Sequence, residues 1–329
     1  MRIIFFGTPE YVAAIAESLH KTFKLKSSES GVTAVITQKP KPTGREKKLT
    51  YSPIDTWAYK KGIDVIYDFN KVPNADLGIL AAYGEIIPEY VIKLFKYGIL
   101  NIHPSLLPKY RGASPVQAAL AASDKQTGVT IIKVDAEMDH GPIVAQFRED
   151  ILDTDTLETL RERLFERSIE VLKNLIPPFI QGRIKLRKQN NDEATFTTLV
   201  KKIHGFIEPK YLAACLQGRT LKAKWEIPFI KNYSLSPNPY TLDSFIRALD
   251  PWPGAWTLLG LSSSGHAKRL KILKAHLNKP LAISHPPASH TRKRFGQGQS
   301  LIIDLVQLEG KSPVSWEEFK RGYPNATFV

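Results

Sequence analysis

The sequence predicts an α/β fold in two parts: a Rossmann-like open sheet of parallel type covered by helices, then a smaller β-rich barrel or sandwich. Three observations carry this expectation. Short apolar runs alternate with helix-period segments through the first half of the chain. A polar, aperiodic run, Gln189, Asn190, Asn191, Asp192 and Glu193, then breaks the rhythm. Beyond it come short β-rich pieces separated by loops of Pro, Ser and basic residues. At 329 residues the chain exceeds what one core organises. The expected division is a first domain at 1–187, a linker at 188–204 and a second domain at 205–329.

Each element has a local reason. Residues 2–6 form a buried apolar strand, and Pro9, tolerated in a first helical turn, opens a helix reaching about His20. A strand at 32–37, a helix at 53–61 and a third strand at 76–82 follow. Pro88 starts a helix toward Phe95, and a strand returns at 97–101, ending near Leu100. A helix at 114–122 precedes strands at 128–134 and 143–148, joined by the polar turn around Asp139. Leu157, Leu160, Leu164, Ile169, Leu172 and Ile176 keep helical spacing. Asp155 and Glu158 stand as a capping pair for that helix, and Pro177 and Pro178 are expected to end it. In the second part, strands are expected at 270–273 and 301–308.

Composition excludes several classes. Apolar residues make up 43% and charged residues 24%, the balance of a folded globular protein. No apolar run approaches the roughly 20 residues of a membrane span, and the opening MRIIFF is cut short by Gly7, so a cytoplasmic protein without a membrane partner is expected. One cysteine, Cys215, excludes an internal disulfide and a thiolate cluster, and its helical setting makes it a core residue. The net charge of +14 gathers in basic clusters at 45–48, 109–111, 183–188, 201–202, 219–224 and 292–294, a distribution that suits an extended polyanion and equally a set of solvated faces, so charge alone does not decide.

The chemistry concentrates in NIHPSLLPKYRGASPVQ, from Asn101, and in MDHGP, around Asp139. In an open parallel sheet, ligands lie beyond the carboxyl ends of the strands. Asn101 and His103 are expected just past one such strand, with Asp139 in a loop at the corresponding end of another. This trio suits attack by an amine on an activated one-carbon carbonyl. Asn101 and a protonated His103 donate to the developing oxyanion. Asp139 orients the imidazole, raises its pKa and relays a proton through water. The scheme requires neither a metal nor a covalent nucleophile.

Read in order, FFGTPE at 5–10, AAYGEIIP at 81–88, the NIHPSLLPKYRGASPVQ segment, GVTIIKVDAEMDHGPIVAQ from Gly128, RALDPWPGAW from Arg247 and the late SWEEF span nearly the whole chain. This ordered set resembles the methionyl-tRNA formyltransferases, within the folate-dependent formyltransferase family. The resemblance implies a catalytic formyltransferase domain followed by a small OB-fold-like barrel that contacts tRNA. It implies formyl transfer from 10-formyltetrahydrofolate, as co-substrate, to initiator methionyl-tRNA, by a chain expected to be monomeric. It assigns catalysis to Asn101, His103 and Asp139, folate contact to Ser105, Leu106, Leu107 and Pro108, and a tRNA contact to Arg45, in the loop at 37–49. On the same basis the turn at Ile86, Ile87 and Pro88 is expected either to help wall the pterin pocket or to serve the core.

The sequence departs from the family pattern at several places. Lys39, Pro40, Lys41 and Pro42 stand where the loop usually carries Asp-Arg-Pro-Ala, Lys133 and Ala136 are atypical before Asp139, and the stretches at 211–240 and 284–298 are long. Trp252 and Trp256 are expected to pack the second domain against the first rather than stack on bases. Three other readings explain less. A nicotinamide dehydrogenase needs glycines that Gly7-Thr8-Pro9-Glu10 lacks. Formyltransferases acting on glycinamide ribonucleotide or an amino-sugar nucleotide leave the second domain or the Arg45 loop unexplained. A non-catalytic RNA binder leaves Asn101, His103 and Asp139 without a purpose.

Overall fold

The computed structural model describes residues 1–25, 29–43, 46–261, 267–278 and 299–328. Two compact units emerge. The first comprises Met1–Pro115, Thr127–Asp150 and Arg161–Phe196; the second gathers Val116–Gln126, Ile151–Leu160 and Thr197–Val329.

The first unit is built on a seven-stranded sheet. Its strands, in chain order, are β1 (Arg2–Gly7), β2 (Gly31–Ile36), β3 (Asp64–Ile66), β4 (Leu77–Ala81), β5 (Ile99–His103), β6 (Gln126–Lys133) and β7 (Ile143–Asp150). They lie in the order β7-β6-β5-β4-β1-β2-β3. The pairs β3-β2, β2-β1, β1-β4 and β4-β5 are parallel. At β5 the sheet changes character, because β6 pairs with it antiparallel. Helices α1 (Ala13–Phe23), α2 (Pro53–Lys61) and α3 (Glu89–Ile92) fall between the parallel strands, after a 3-10 turn at Glu10–Val12. Ile3, Ile4, Phe5 and Phe6 are completely buried, so β1 is apolar on both faces, the mark of a covered central strand.

Ser52 caps α2 by accepting from Asp55 N, with Pro53 in the first turn and Gly62 in the left-handed conformation closing the far end. Next along the chain come α4 (Pro115–Ala121) and α5 (Leu157–Ile180). The cap of α5 differs from expectation. Thr156 and Thr159 exchange backbone-to-hydroxyl hydrogen bonds, while Asp155 accepts from Leu152 N and the Thr159 hydroxyl. Nor do Pro177 and Pro178 stop this helix, which continues through both. The two prolines remove the donors that would have reached the Lys173 and Asn174 carbonyls, and the burial of Leu172 and Ile176 along the same stretch offsets that loss. The turn comes at Gly182, whose φ is +68°, with Gly182 N donating to the Phe179 carbonyl.

The second unit contains a five-stranded sheet of β8 (Ala255–Gly260), β9 (Ala267–Leu277), β10 (Leu301–Leu308), β11 (Val314–Ser315) and β12 (Thr327–Phe328), ordered β11-β10-β9-β8-β12. Every pair is antiparallel. Helices α6 (Pro209–Leu216), α7 (Pro239–Ala248) and α8 (Trp316–Gly322) belong to it. Cys215 is buried on α6, where desolvation pushes its thiol up to about 12. Trp256 is buried against Phe206 and donates Nε1–H to the Lys202 carbonyl, whereas Trp252 is half-exposed. No helix among the described residues is long and apolar enough to cross a membrane.

One close approach shapes the turn between β6 and β7. A Cβ on Gly141 would stand 1.9 Å from the Lys133 carbonyl oxygen, while Lys133 N donates to the Pro142 carbonyl at 3.0 Å. Gly141→Ala is therefore expected to destabilise the first unit by about 1–3 kcal/mol. An unchanged urea midpoint would show that the two backbones are not so tightly apposed.

Candidate active site

Strand β5 runs two residues further than the sequence suggests, so Asn101 and His103 belong to its last turn of pleat rather than to the loop beyond it. Their spacing of two puts both side chains on one face of the sheet. Opposite them in the antiparallel register are Ile132 and Thr130 of β6. After Lys133 the chain swings through Asp139, whose φ of +52° is the left-handed region, and brings its carboxylate back over β5.

The three predicted catalytic residues meet. Asn101 Nδ2 donates to Asp139 Oδ1 at 3.1 Å, and His103 Nδ1 lies 3.5 Å from the same oxygen. Asp139 Oδ2 accepts from Gly112 N at 2.8 Å. His103 Nε2 is 3.0 Å from the Tyr110 carbonyl. Since a carbonyl only accepts, Nε2 carries a hydrogen, and any second proton on the ring resides on Nδ1, facing Asp139. At 3.5 Å that contact is an ion pair rather than a tight hydrogen bond, which leaves Nδ1–H available to an incoming oxygen. Asn101 likewise retains a second amide hydrogen beyond the one given to Asp139.

Burial and charge compete here. His103 is only 4% exposed, and burial disfavours its cation. The carboxylate of Asp139 outweighs that penalty, helped by the Tyr110 carbonyl, and holds the imidazole above its ordinary pKa although Arg111 opposes it. Burial also pushes against the charge on Asp139. His103, the Gly112 N–H and Arg111 together overcome it, and the carboxyl lies below its usual range.

The expected folate loop is ordered by β6. Thr130 Oγ1 donates to the Ser105 carbonyl at 2.7 Å and accepts from Leu107 N at 3.0 Å. Gln146 Nε2 reaches Thr130 Oγ1 and the Leu107 carbonyl. Ser105 Oγ donates to the Lys109 carbonyl at 2.6 Å, and Leu107 packs with Ile132 and Ile143. The Leu107-Pro108 peptide is cis. Ser105 and Leu107 are thus spent on the loop's own structure, leaving Leu106 and Pro108 as its more accessible members. Ile86 is among the most exposed apolar residues, while Ile87 belongs to the core.

Arg45 lies outside the described residues. Its flanks at Lys41–Thr43 and Lys48–Thr50 pair as an antiparallel hairpin. One expectation is corrected: Arg111, read as part of a phosphate-facing cluster, is 4% exposed and cannot neutralise an external polyanion. It donates to Gln189 and Asn191 instead. No sequence period relates 111 to 189, so the reading from composition missed this contact.

The coupled shifts fix a pH window. His103, raised above its ordinary 6.5, contributes stability fully below that value and loses it as pH rises through the raised pKa. Asp139, lowered from 3.8, contributes above that value and loses its share as pH falls through the lowered pKa. The pair therefore stabilises most between about pH 4 and 6.5. In Asp139→Asn the His103 ring is expected to titrate at lower pH in an NMR titration, and an unmoved titration would contradict the ion pair.

The formyl transferase family profile matches residues 1–176, and the formyl transferase C-terminal domain profile matches residues 236–324. A methionyl-tRNA formyltransferase of Thermotoga neapolitana is 32% identical, the match covering 98% of this chain and 95% of that one. Another, from Chloroflexus aggregans, is 34% identical over 95% of this chain and 93% of its own. Among solved structures, the N-formyltransferase of Helicobacter canadensis, in complex with folinic acid and dTDP-3-aminofucose, aligns with a TM-score of 0.61 at 18% identity, covering 92% of this chain and 98% of that one. A 4-N formyltransferase from Francisella tularensis gives 0.54 at 16% identity, over 78% and 91%. At such identities these two likenesses concern the fold alone. With both domain profiles in sequence and relatives matched over nearly their full length, the chain belongs to the formyl transferase family.

Proposed function

We propose that this protein transfers the formyl group of 10-formyltetrahydrofolate to the amino group of initiator methionyl-tRNA. The observation that carries the choice of acceptor is the similarity to methionyl-tRNA formyltransferases, at 32–34% identity over at least 95% of this chain. The observation that supports the chemistry is the convergence of Asn101, His103 and Asp139.

The amine nitrogen attacks the formyl carbon, a new N–C bond forms, and the carbonyl electron pair moves onto oxygen. Asn101 offers its remaining amide hydrogen to that oxygen, and His103 offers Nδ1–H as a charge-assisted donor. Asp139 keeps the imidazole protonated and oriented, and its side of the site receives the amine proton through water. Collapse of the intermediate breaks the bond to the folate nitrogen, which takes up a proton as it leaves. The loop at Ser105, Leu106, Leu107 and Pro108 supports the co-substrate, by its place directly after His103. Arg45 and the surrounding hairpin contact the acceptor end of the tRNA. Exposed Arg183, Lys185, Lys201, Lys202, Arg219, Lys222 and Lys224 suit its phosphates. The enzyme works as a cytoplasmic monomer.

His103→Ala and Asp139→Asn are expected to lower turnover by about 10²- to 10⁴-fold with the fold retained by circular dichroism. Near-normal rates in either variant would remove the catalytic assignment. Arg45→Ala is expected to raise KM for the tRNA while leaving transfer to a small amine unchanged. Incubation with 10-formyltetrahydrofolate and each candidate acceptor decides the substrate: formylation of an amino-sugar nucleotide or glycinamide ribonucleotide, but not of methionyl-tRNA, would overturn it.

A further inference from the structure

The segment that holds His103 and Asp139 in place is not held by its own sheet. Tyr110 supplies the carbonyl that fixes the His103 tautomer, and Gly112 supplies the N–H that binds Asp139. Between them lies Arg111. Tyr110 has a φ of +61° and Gly112 of +108°, so this stretch is strained for an ordinary residue and needs outside support.

That support comes from residues 189–195, more than seventy positions later. Thr195 accepts from Tyr110 N through Oγ1 and from Arg111 N through its carbonyl, each at 2.8 Å, and its own N donates to the Pro108 carbonyl. Gln189, 5% exposed, accepts Arg111 Nε and Nη2 on Oε1 at 3.1 and 2.7 Å. Its Nε2 donates to the carbonyls of Asp139 and Gly141 at 2.9 and 2.8 Å. Asn191 repeats the pattern two residues on: Oδ1 accepts Arg111 Nη2 at 2.8 Å, and Nδ2 donates to His140 Nε2 at 3.2 Å. His140 Nδ1 is in turn paired with Asp135. Both side-chain amides therefore join the same arginine to the same turn.

We propose that residues 189–195 are a positioning strap for the transfer step, with Gln189 and Asn191 clamping the Asp139 turn to the His103-bearing loop through Arg111. The strap rests on the catalytic reading given above. Neither amide touches a reacting atom, and their effect passes through the alignment of Asp139 with His103. An amide suits this place because it accepts from Arg111 at one end and donates to carbonyls at the other without adding charge to a buried site. A carboxylate at 189 would set oxygen against the carbonyl oxygens of Asp139 and Gly141, and a lysine has no acceptor for Arg111.

The test is Gln189→Met, close in volume but without the bridging groups, measured beside Asp139→Asn. The groups facing His103 are Asp139, the Tyr110 carbonyl and Arg111, so loosening the Asp139 turn is read by the imidazole itself. For Gln189→Met, kcat is expected to fall about 10- to 100-fold while KM for folate and for tRNA changes by less than about twofold. The His103 ring should titrate at lower pH by NMR. Exposed Asn191→Ala, which tests the same bridge if Gln189→Met does not fold, should move both readouts in the same sense by a smaller factor. If Asp139→Asn is inactive but the strap variants keep kcat and the His103 titration, the strap is wrong and the site reading stands. A loss accompanied by equal rises in both KM values and an unmoved His103 titration would mark a general packing role and also overturn the strap. If Asp139→Asn remains active, the catalytic reading falls and takes the strap with it.

Discussion

A carboxylate taken out of water must find compensation, and Asp139 is 12% exposed in a turn its own backbone favours little. Leaving such a charge unpaired costs several kcal/mol. Each hydrogen bond to an ionised group returns about 1.5–3 kcal/mol. The amide of Asn101 and the N–H of Gly112 together therefore come close to balancing the penalty, and the His103 cation supplies the remainder. None of these partners is optional. This one carboxylate determines which way Asn101 turns, how firmly the His103 ring holds its second proton, and where the backbone after Tyr110 must run.

The fold supplies the remaining geometry by simple means. Two-residue periodicity along β5 places Asn101 and His103 on the same face. Antiparallel pairing with β6 then sets Thr130 beside His103, where its hydroxyl receives Leu107 N and reaches the Ser105 carbonyl. The antiparallel pairing carries β6 from beside His103 back to beside Leu100, and the loop after Lys133 then folds over β5 to set Asp139 against Asn101. The site thus sits where the direction of pairing changes.

Local chemistry made much of this legible in the sequence. The apolar runs of β1, β2, β4 and β10 and the Ser52-Pro53 start of α2 needed no tertiary information, because burial and capping are written in neighbouring residues. The edge strand β3 and the helix α7 were missed, the first for its three-residue length and the second because it is buried nearly all round, with Thr241, Asp243 and Ser244 breaking any apolar stripe. The meeting of Asn101, His103 and Asp139 was readable because three chemically suited side chains stood in or beside strand ends. Arg111 and Gln189 were not, since a basic residue in a loop and a glutamine in a polar run look solvated until folding brings them together. A contact across seventy-eight positions has no periodic trace in one sequence.

Arg111 also explains why the strap is made of amides. A guanidinium beside a buried carboxylate would ordinarily take it in a bidentate pair. Here Nε and one Nη2 hydrogen bond are given to Gln189, and Nη2 is shared with Asn191, so neutral oxygens absorb donors that would otherwise compete for Asp139. Arg111 still acts through space, lowering the pKa of Asp139 and opposing charge on His103. Were it to move onto the carboxylate, the His103 cation would lose its nearest counterion and the imidazole would tend to neutrality. Nδ1 would then lack the hydrogen needed to meet an oxyanion, because Nε2 keeps its own for Tyr110. Holding a second cation close yet occupied elsewhere is therefore what reserves Asp139 for the histidine.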